Sequence, residues 1–264
     1  MLKQRIFTAA FALVVVIGIL LAGKLPWQVF VWLGSLLGMQ EFIHLLGVRW
    51  NRLPAWWGYV VVTVVQWIPT WNRVISLELL SSVSLLLPVL LKNRFTLEKS
   101  AAVLLGSLYI AFGGGALSQI RALPDGRAWV LLFLVSIWMT DTAAFFIGSR
   151  VKGPKLWPAI SPGKTISGSL GGLVGGVVGA VLIGAILLAR DASLGRFVLV
   201  GLVISLAGQL GDLVESAYKR SAGVKDSGNL LPGHGGVLDR IDSILFAAPF
   251  AYFLIAFGAP GTWF

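Results

Sequence analysis

Between Gly208 and Asp242 the chain gathers Asp212, Glu215, Lys219, Arg220, Lys225, Asp226, His234, Asp239, Arg240 and Asp242. That is five carboxylates, four cations and one of only two histidines in the sequence. Asp212, Glu215, Ser216 and Lys219 stand at i, i+3, i+4 and i+7, so they share one face of a helix. After a glycine-rich stretch, Asp239, Asp242 and Ser243 repeat the spacing. Two helices joined by that stretch can lie as antiparallel neighbours, which puts Asp212 near the end of one and Asp239 near the start of the other. Facing carboxylates without soft ligands describe a site for a hard cation, magnesium first. The bland alternative is that Asp212 and Asp239 pair with Lys219 or Arg240 and merely hold helices together. The density of charge exceeds what such pairing needs.

The loop residues point to phosphate. His234, Gly235 and Gly236 precede an apolar segment, and glycines let backbone N–H groups approach an anion at a helix start. Lys219, Arg220, Lys225 and Arg240 supply countercharge for several phosphates, with Asp226 beside Lys225. A second, looser group is Asp141 followed by Ser161-Pro-Gly-Lys164-Thr165. Its Gly-Lys-Thr ending looks like a P-loop, but Pro158 stands where that motif needs glycine. What remains is a polar turn suited to a nucleotide phosphate.

The elements that must hold these residues are apolar. Of the 264 residues, 57% are hydrophobic and 12% charged, and the mean hydropathy is +0.87. So little charge cannot solubilise so much apolar surface, which makes the bilayer the solvent. Apolar runs near 6–23, 27–46, 55–71, 74–91, 100–118, 128–148, 168–189, 194–214 and 237–257 have the length of membrane helices. The expected fold is therefore an all-α integral membrane protein of about nine transmembrane helices. Lys3 and Arg5 before the first run resemble a signal peptide, but the run is longer than a signal core and many spans follow it.

Net charge +10 raises a nucleic-acid reading, which the cation positions answer. With a cytoplasmic N-terminus, nine spans put 15 of the 21 cations inside. Lys24, Arg73, Arg121, Arg127, Arg190 and Arg196 fall outside, and Gly258–Phe264 lies on the far side. This is the positive-inside asymmetry, and no nucleic-acid partner is needed to explain it. Trp50, Trp56, Trp57, Trp71, Trp157 and Trp263 cluster near span ends as an interfacial belt. The lack of cysteine excludes disulfides and thiolate metal sites.

Two regions follow: N-terminal scaffold helices over 1–125, and a catalytic region over 126–264 with cytoplasmic loops 149–167 and 216–236. Glu41 and Glu78 are ionisable groups inside the first-half spans. An intramembrane carboxylate is either a site or an interfacial residue, and both readings stay open. Gly168, Gly172, Gly176, Ala180 and Gly184 recur every four residues in the seventh run. Such a stripe permits close helix packing, within the chain or between subunits.

Ser216-Ala-Tyr-Lys-Arg220, Lys225-Asp226, Pro232-Gly-His-Gly-Gly236 and Asp239-Arg-Ile-Asp242 together reproduce a long, mixed signature. On these residues the chain resembles the phosphatidate cytidylyltransferases (CDP-diacylglycerol synthases). Asp141 with Gly148, and Ser161–Thr165 running into Gly168–Gly172, resemble that family's second motif. Gly163 stands in place of a frequent lysine, and Ser167 where members often carry glutamate. The specific resemblance covers about 136–245; the N-terminal part agrees in hydropathy alone. It implies a magnesium-dependent membrane enzyme that makes CDP-diacylglycerol and pyrophosphate from CTP and phosphatidate. It further implies a homodimer of the bacterial plasma membrane, with a polar cavity open to the cytoplasm. Magnesium, with potassium as second cation, would be held by Asp212 and Asp239; Lys219, Arg220 and Asp242 would complete the catalytic set. Rival readings are an ether-lipid cytidylyltransferase, a CTP-dependent lipid kinase, or an ion-coupled transporter. The chain shows no internal repeat of the kind transporters carry.

Overall fold

The computed structural model describes residues 2–68, 72–188, 193–228, 230 and 235–257, with the side chains of 2–7, 9 and 73 left out. His234, Trp71, Arg190, Trp263 and the 258–264 tail lie outside the described residues. Each apolar run becomes a helix: α1 Leu2–Ala22, α2 Lys24–Leu45, α3 Leu53–Trp67, α4 Arg73–Leu90, α5 Leu97–Ala122, α6 Gly126–Val151, α7 Ile166–Leu187, α8 Leu194–Ser221 and α9 Leu238–Phe257. Among the described residues, α5, α6, α7, α8 and α9 are long and apolar enough to cross a membrane. Their outward residues, such as Leu182, Ile186, Leu202, Leu206 and Phe253, are exposed, as lipid-facing residues are. This is a helical membrane protein.

The expected loop has a structure of its own. The 149–167 connection holds an antiparallel hairpin of β1 Lys155–Trp157 and β2 Ser161–Thr165. Pro158 and Pro162 cannot continue a helix, and the chain turns between the strands with Ile160 N–H donating to Trp157 O. The second strand then feeds α7 directly. Thr165 is the N-cap, its hydroxyl accepting from Gly168 N–H at 3.1 Å.

The chain forms two compact units. The first comprises residues 1–115 and 221–241, the second 116–220 and 242–264. In the first unit α1 packs with α2, α2 with α3 and α3 with α4. Side-chain hydrogen bonds tie these helices: Gln66 Nε2 donates to Ser35 Oγ at 2.8 Å, and Trp57 Nε1 to Ser84 Oγ at 2.8 Å.

In the second unit the glycine stripe of α7 does intramolecular work. A Cβ on Gly172 would lie 3.1 Å from Thr140 O of α6, and one on Gly175 would lie 2.7 Å from Met139 O. Backbones so close leave room only for hydrogen on that face. Hydroxyls join the three helices: Thr140 Oγ1 donates to Ser205 Oγ at 2.8 Å, and Ser205 Oγ to Gly172 O at 3.1 Å. Higher on α7 and α8, Ser169 Oγ donates to Gln209 Oε1 at 2.6 Å, and Gln209 Nε2 returns a bond to Ser169 O at 3.2 Å. At 28 residues, α8 is about 42 Å long and outruns a hydrocarbon layer of about 30 Å. Hydropathy ends its apolar run at 214. The helix itself continues seven residues further, carrying the charged face.

Candidate active site

In the second unit the polar end of α8 organises a charged cluster. Lys164 of β2 reaches Asp212, Nζ to Oδ2 at 2.6 Å, both side chains partly exposed. Ser216 Oγ lies 3.4 Å from Asp212 Oδ1. One turn on, Lys219 pairs with the buried Glu215 at 2.5 Å. Asp242, also buried, takes the N–H of Ser243 at 2.6 Å and lies within electrostatic reach of Asp212 and Lys219. Close packing of α8 on the α9 segment allows this. A Cβ on Gly211 would lie 2.9 Å from Asp242 O, and one on Gly208 3.7 Å from Ser243 Cβ. Arg220 Nε donates to Ile160 O at 3.3 Å, holding the hairpin tip to the end of α8.

The alternative of Asp212 paired with Lys219 is thereby answered. Asp212 takes Lys164 and Lys219 takes Glu215, so the i+3 carboxylate intercepts the lysine one turn ahead of it. Two candidate site residues from separate motifs, Lys164 and Asp212, are brought into contact. Thr165 is spent as the α7 cap, while Ser161 sits in β2 and Asp141 is exposed on α6. Ser167, in the position of the resembled family's glutamate, donates to Lys152 O.

The first unit holds the other half of the predicted residues. Asp239 Oδ2 accepts from Ser227 N–H at 3.0 Å, Ser227 Oγ at 3.0 Å and Gly236 N–H at 2.8 Å. Gly235 has φ +79°, a left-handed conformation in which a Cβ would also lie 2.7 Å from Asp239 Oδ2. Lys225, Asp226 and Arg240 are exposed. Glu41 of α2 is 9% exposed and accepts from Val237 N–H at 2.9 Å and Leu238 N–H at 2.8 Å, and it shares with Asp239 the one proton of Ser227 Oγ, 3.0 Å away. Ser227, Gly228 and Glu215 were not picked out as site residues from sequence. Their only signals were adjacency to Lys225-Asp226 and the i+3 spacing from Asp212.

The chain matches the model of the Cytidylyltransferase family over residues 3–257. It belongs to that family. A phosphatidate cytidylyltransferase of Staphylococcus aureus (strain COL) is 37% identical over 262 residues, covering 96% of this chain and 99% of the relative. One from Bacillus subtilis (strain 168) is 36% identical over 269 residues, covering 97% and 98%. One from Staphylococcus saprophyticus is 35% identical over 260 residues, covering 96% and 99%.

As a cytidylyltransferase the chain is a nucleotidyl-transferring enzyme. Among the described residues no three His, Asp or Glu side chains converge as a metal cage. Among the described residues the carboxylates of the two clusters offer oxygen donors, as a hard cation such as magnesium requires.

Proposed function

We propose that this chain transfers the cytidylyl group of CTP to phosphatidate, giving CDP-diacylglycerol and pyrophosphate. The observation that carries this reading is relatedness along nearly the whole chain to proteins named for that activity, together with the Lys164–Asp212 contact at a charged helix end.

The chemistry follows from the residues. A phosphate monoester has its second pKa near 6, so the phosphatidate oxygen is already an anion at neutral pH and needs no general base. That oxygen attacks the α-phosphorus of CTP in line. The bond from the α-phosphorus to the α,β-bridging oxygen breaks, and pyrophosphate departs with the electron pair. The obstacle is repulsion between polyanions. Lys164, Lys219, Arg220, Lys225 and Arg240 lower it, as do the N–H group of Gly235 and the side chain of His234, while Gly236 holds the Asp239 carboxylate. Asp212 and Asp239 would hold magnesium, which when bound neutralises charge on the phosphates; potassium would be the second cation. Asp242 and Asp226 shape the field around these cations, and Ser161, Thr165 and Asp141 flank the nucleotide.

In this reading the chain is a nine-span homodimer of a bacterial plasma membrane. Its N-terminus and its site face the cytoplasm. The acyl tails of phosphatidate remain in lipid while CTP arrives from water. Purified protein supplied with CTP, phosphatidate and magnesium should form CDP-diacylglycerol, and chelation of magnesium should stop it. Activity that persists in chelator would remove the metal from the reading. Lys164→Ala should raise the apparent KM for CTP by about tenfold; an unchanged KM would remove β2 from the nucleotide site.

A further inference from the structure

Glu41 is a buried carboxylate whose described partners are all N–H and O–H donors of one loop. It lies near the end of α2, yet it binds the first N–H groups of α9, 196 and 197 residues away in sequence. A helix start leaves its first N–H groups without intrahelical partners and carries partial positive charge. The usual remedy is a capping side chain at the helix's own N-cap. Val237 has no such oxygen, and Glu41 supplies it from another helix.

The same carboxylate shapes the loop leading to α9. Ser227 Oγ is 3.0 Å from Glu41 Oε2 and 3.0 Å from Asp239 Oδ2. One hydroxyl carries one proton, so this single group keeps two carboxylates apart while touching both. Two glycines of the loop close on Glu41. A Cβ on Gly228 would lie 2.6 Å from Glu41 Oε1, and one on Gly236 would overlap Glu41 Oε2 and Ser227 Oγ. Gly236 N–H is in turn bound to Asp239. Burying a carboxylate is costly unless its donors are in place. Here the donors belong to the loop bearing Gly235, Gly236 and Asp239.

We propose that Glu41 is a positioning residue: through the first N–H groups of α9 and through Ser227 it fixes Gly235, Gly236 and Asp239 for nucleotide and magnesium. This deepens the cytidylyl-transfer reading and rests on it. The loop is thus set by a helix of the first half of the chain, which touches no substrate in this account.

The test uses full-length protein in lipid nanodiscs. In Glu41→Gln the amide nitrogen faces backbone donors, so one half of the cap is lost at nearly constant size. Amide hydrogen exchange at Val237 and Leu238 should quicken by about tenfold or more, as expected for losing a bond to a charged acceptor. The apparent KM for CTP should rise by about tenfold with a smaller change in kcat. Glu41→Asp, which keeps the charge, should fall between wild type and Glu41→Gln on both measures. Glu78→Gln, at an exposed position of α4, should leave both unchanged.

Exchange at Val237 and Leu238 like that of wild type would overturn the inference. So would faster exchange with an unaltered KM for CTP, because Glu41 would then serve the fold alone. If Glu41→Gln does not yield folded protein, Ser227→Ala removes only the shared hydroxyl. It should move both measures in the same direction by a smaller factor, and no movement would be equally fatal. Absence of CDP-diacylglycerol synthesis by wild type would instead count against the proposed function, since exchange is read without turnover.

Discussion

Asp212→Asn and Asp239→Asn should each reduce CDP-diacylglycerol formation by about 10²–10³ or more, the scale on which preorganised charge acts at phosphoryl centres. Both substitutions preserve size and remove one negative charge. At Asp239 an asparagine can turn its amide oxygen toward Ser227 and Gly236, whose N–H groups the aspartate accepts at 3.0 and 2.8 Å. The loop then keeps its shape while the site loses an anionic oxygen for a hard cation. At Asp212 the change also weakens the 2.6 Å contact with Lys164, an effect on the nucleotide side. The two variants should therefore differ: Asp212→Asn disturbs both CTP affinity and magnesium dependence, Asp239→Asn chiefly the latter. Turnover like wild type in either purified, folded variant would strike that residue from the metal assignment.

Gly236→Ala should be nearly inactive and less stable by about 1–3 kcal/mol, the usual cost of forcing atoms into a packed site. The new methyl would meet the Glu41 carboxylate and the Ser227 hydroxyl. Neither can withdraw freely, because Glu41 is bound by Val237 and Leu238 and Ser227 by Asp239. Relief must come from displacing the loop, and with it the Gly236–Asp239 bond. Gly163→Ala is the contrasting case, since a Cβ there meets nothing within 4 Å and stability should stay within about 0.5 kcal/mol. Thermal unfolding of the two variants in one detergent would compare them directly. Equal stability of the two would show that the loop does not wrap Glu41 as described.

The helical framework was legible because membrane helices write themselves as apolar runs, and each run became one helix among the described residues. Local spacing was legible too. The i, i+4 relation of Glu215 and Lys219 became an ion pair, and Asp212 met Ser216. Contacts between distant segments were not. Nothing in residues 161–165 says that Lys164 will meet Asp212, since hydropathy carries no information about which helix ends share a neighbourhood. The hairpin was hidden for a different reason: a five-residue strand dominated by Pro, Gly and Lys has little strand propensity, and its pairing with β1 is what makes it a strand.

Glu41 shows the limit most clearly. Its position in an apolar run marked it as unusual, but a carboxylate's partners are decided by folding. Two of those partners are the backbone N–H groups of Val237 and Leu238, which no side-chain pattern records. The glycines at 228 and 236 likewise announced conformational freedom. Their use is space for a carboxylate from α2.

The central claim is that the cytidylyl group, rather than a terminal phosphoryl group, moves to lipid phosphate. Two parallel reactions of the purified protein with phosphatidate and magnesium test it, one with CTP labelled at the α-phosphorus and one at the γ-phosphorus. The account predicts that the α label enters the lipid product and the γ label leaves entirely as pyrophosphate. A γ label in the lipid would make the enzyme a CTP-dependent kinase and contradict the account, as would a lipid product bearing neither label.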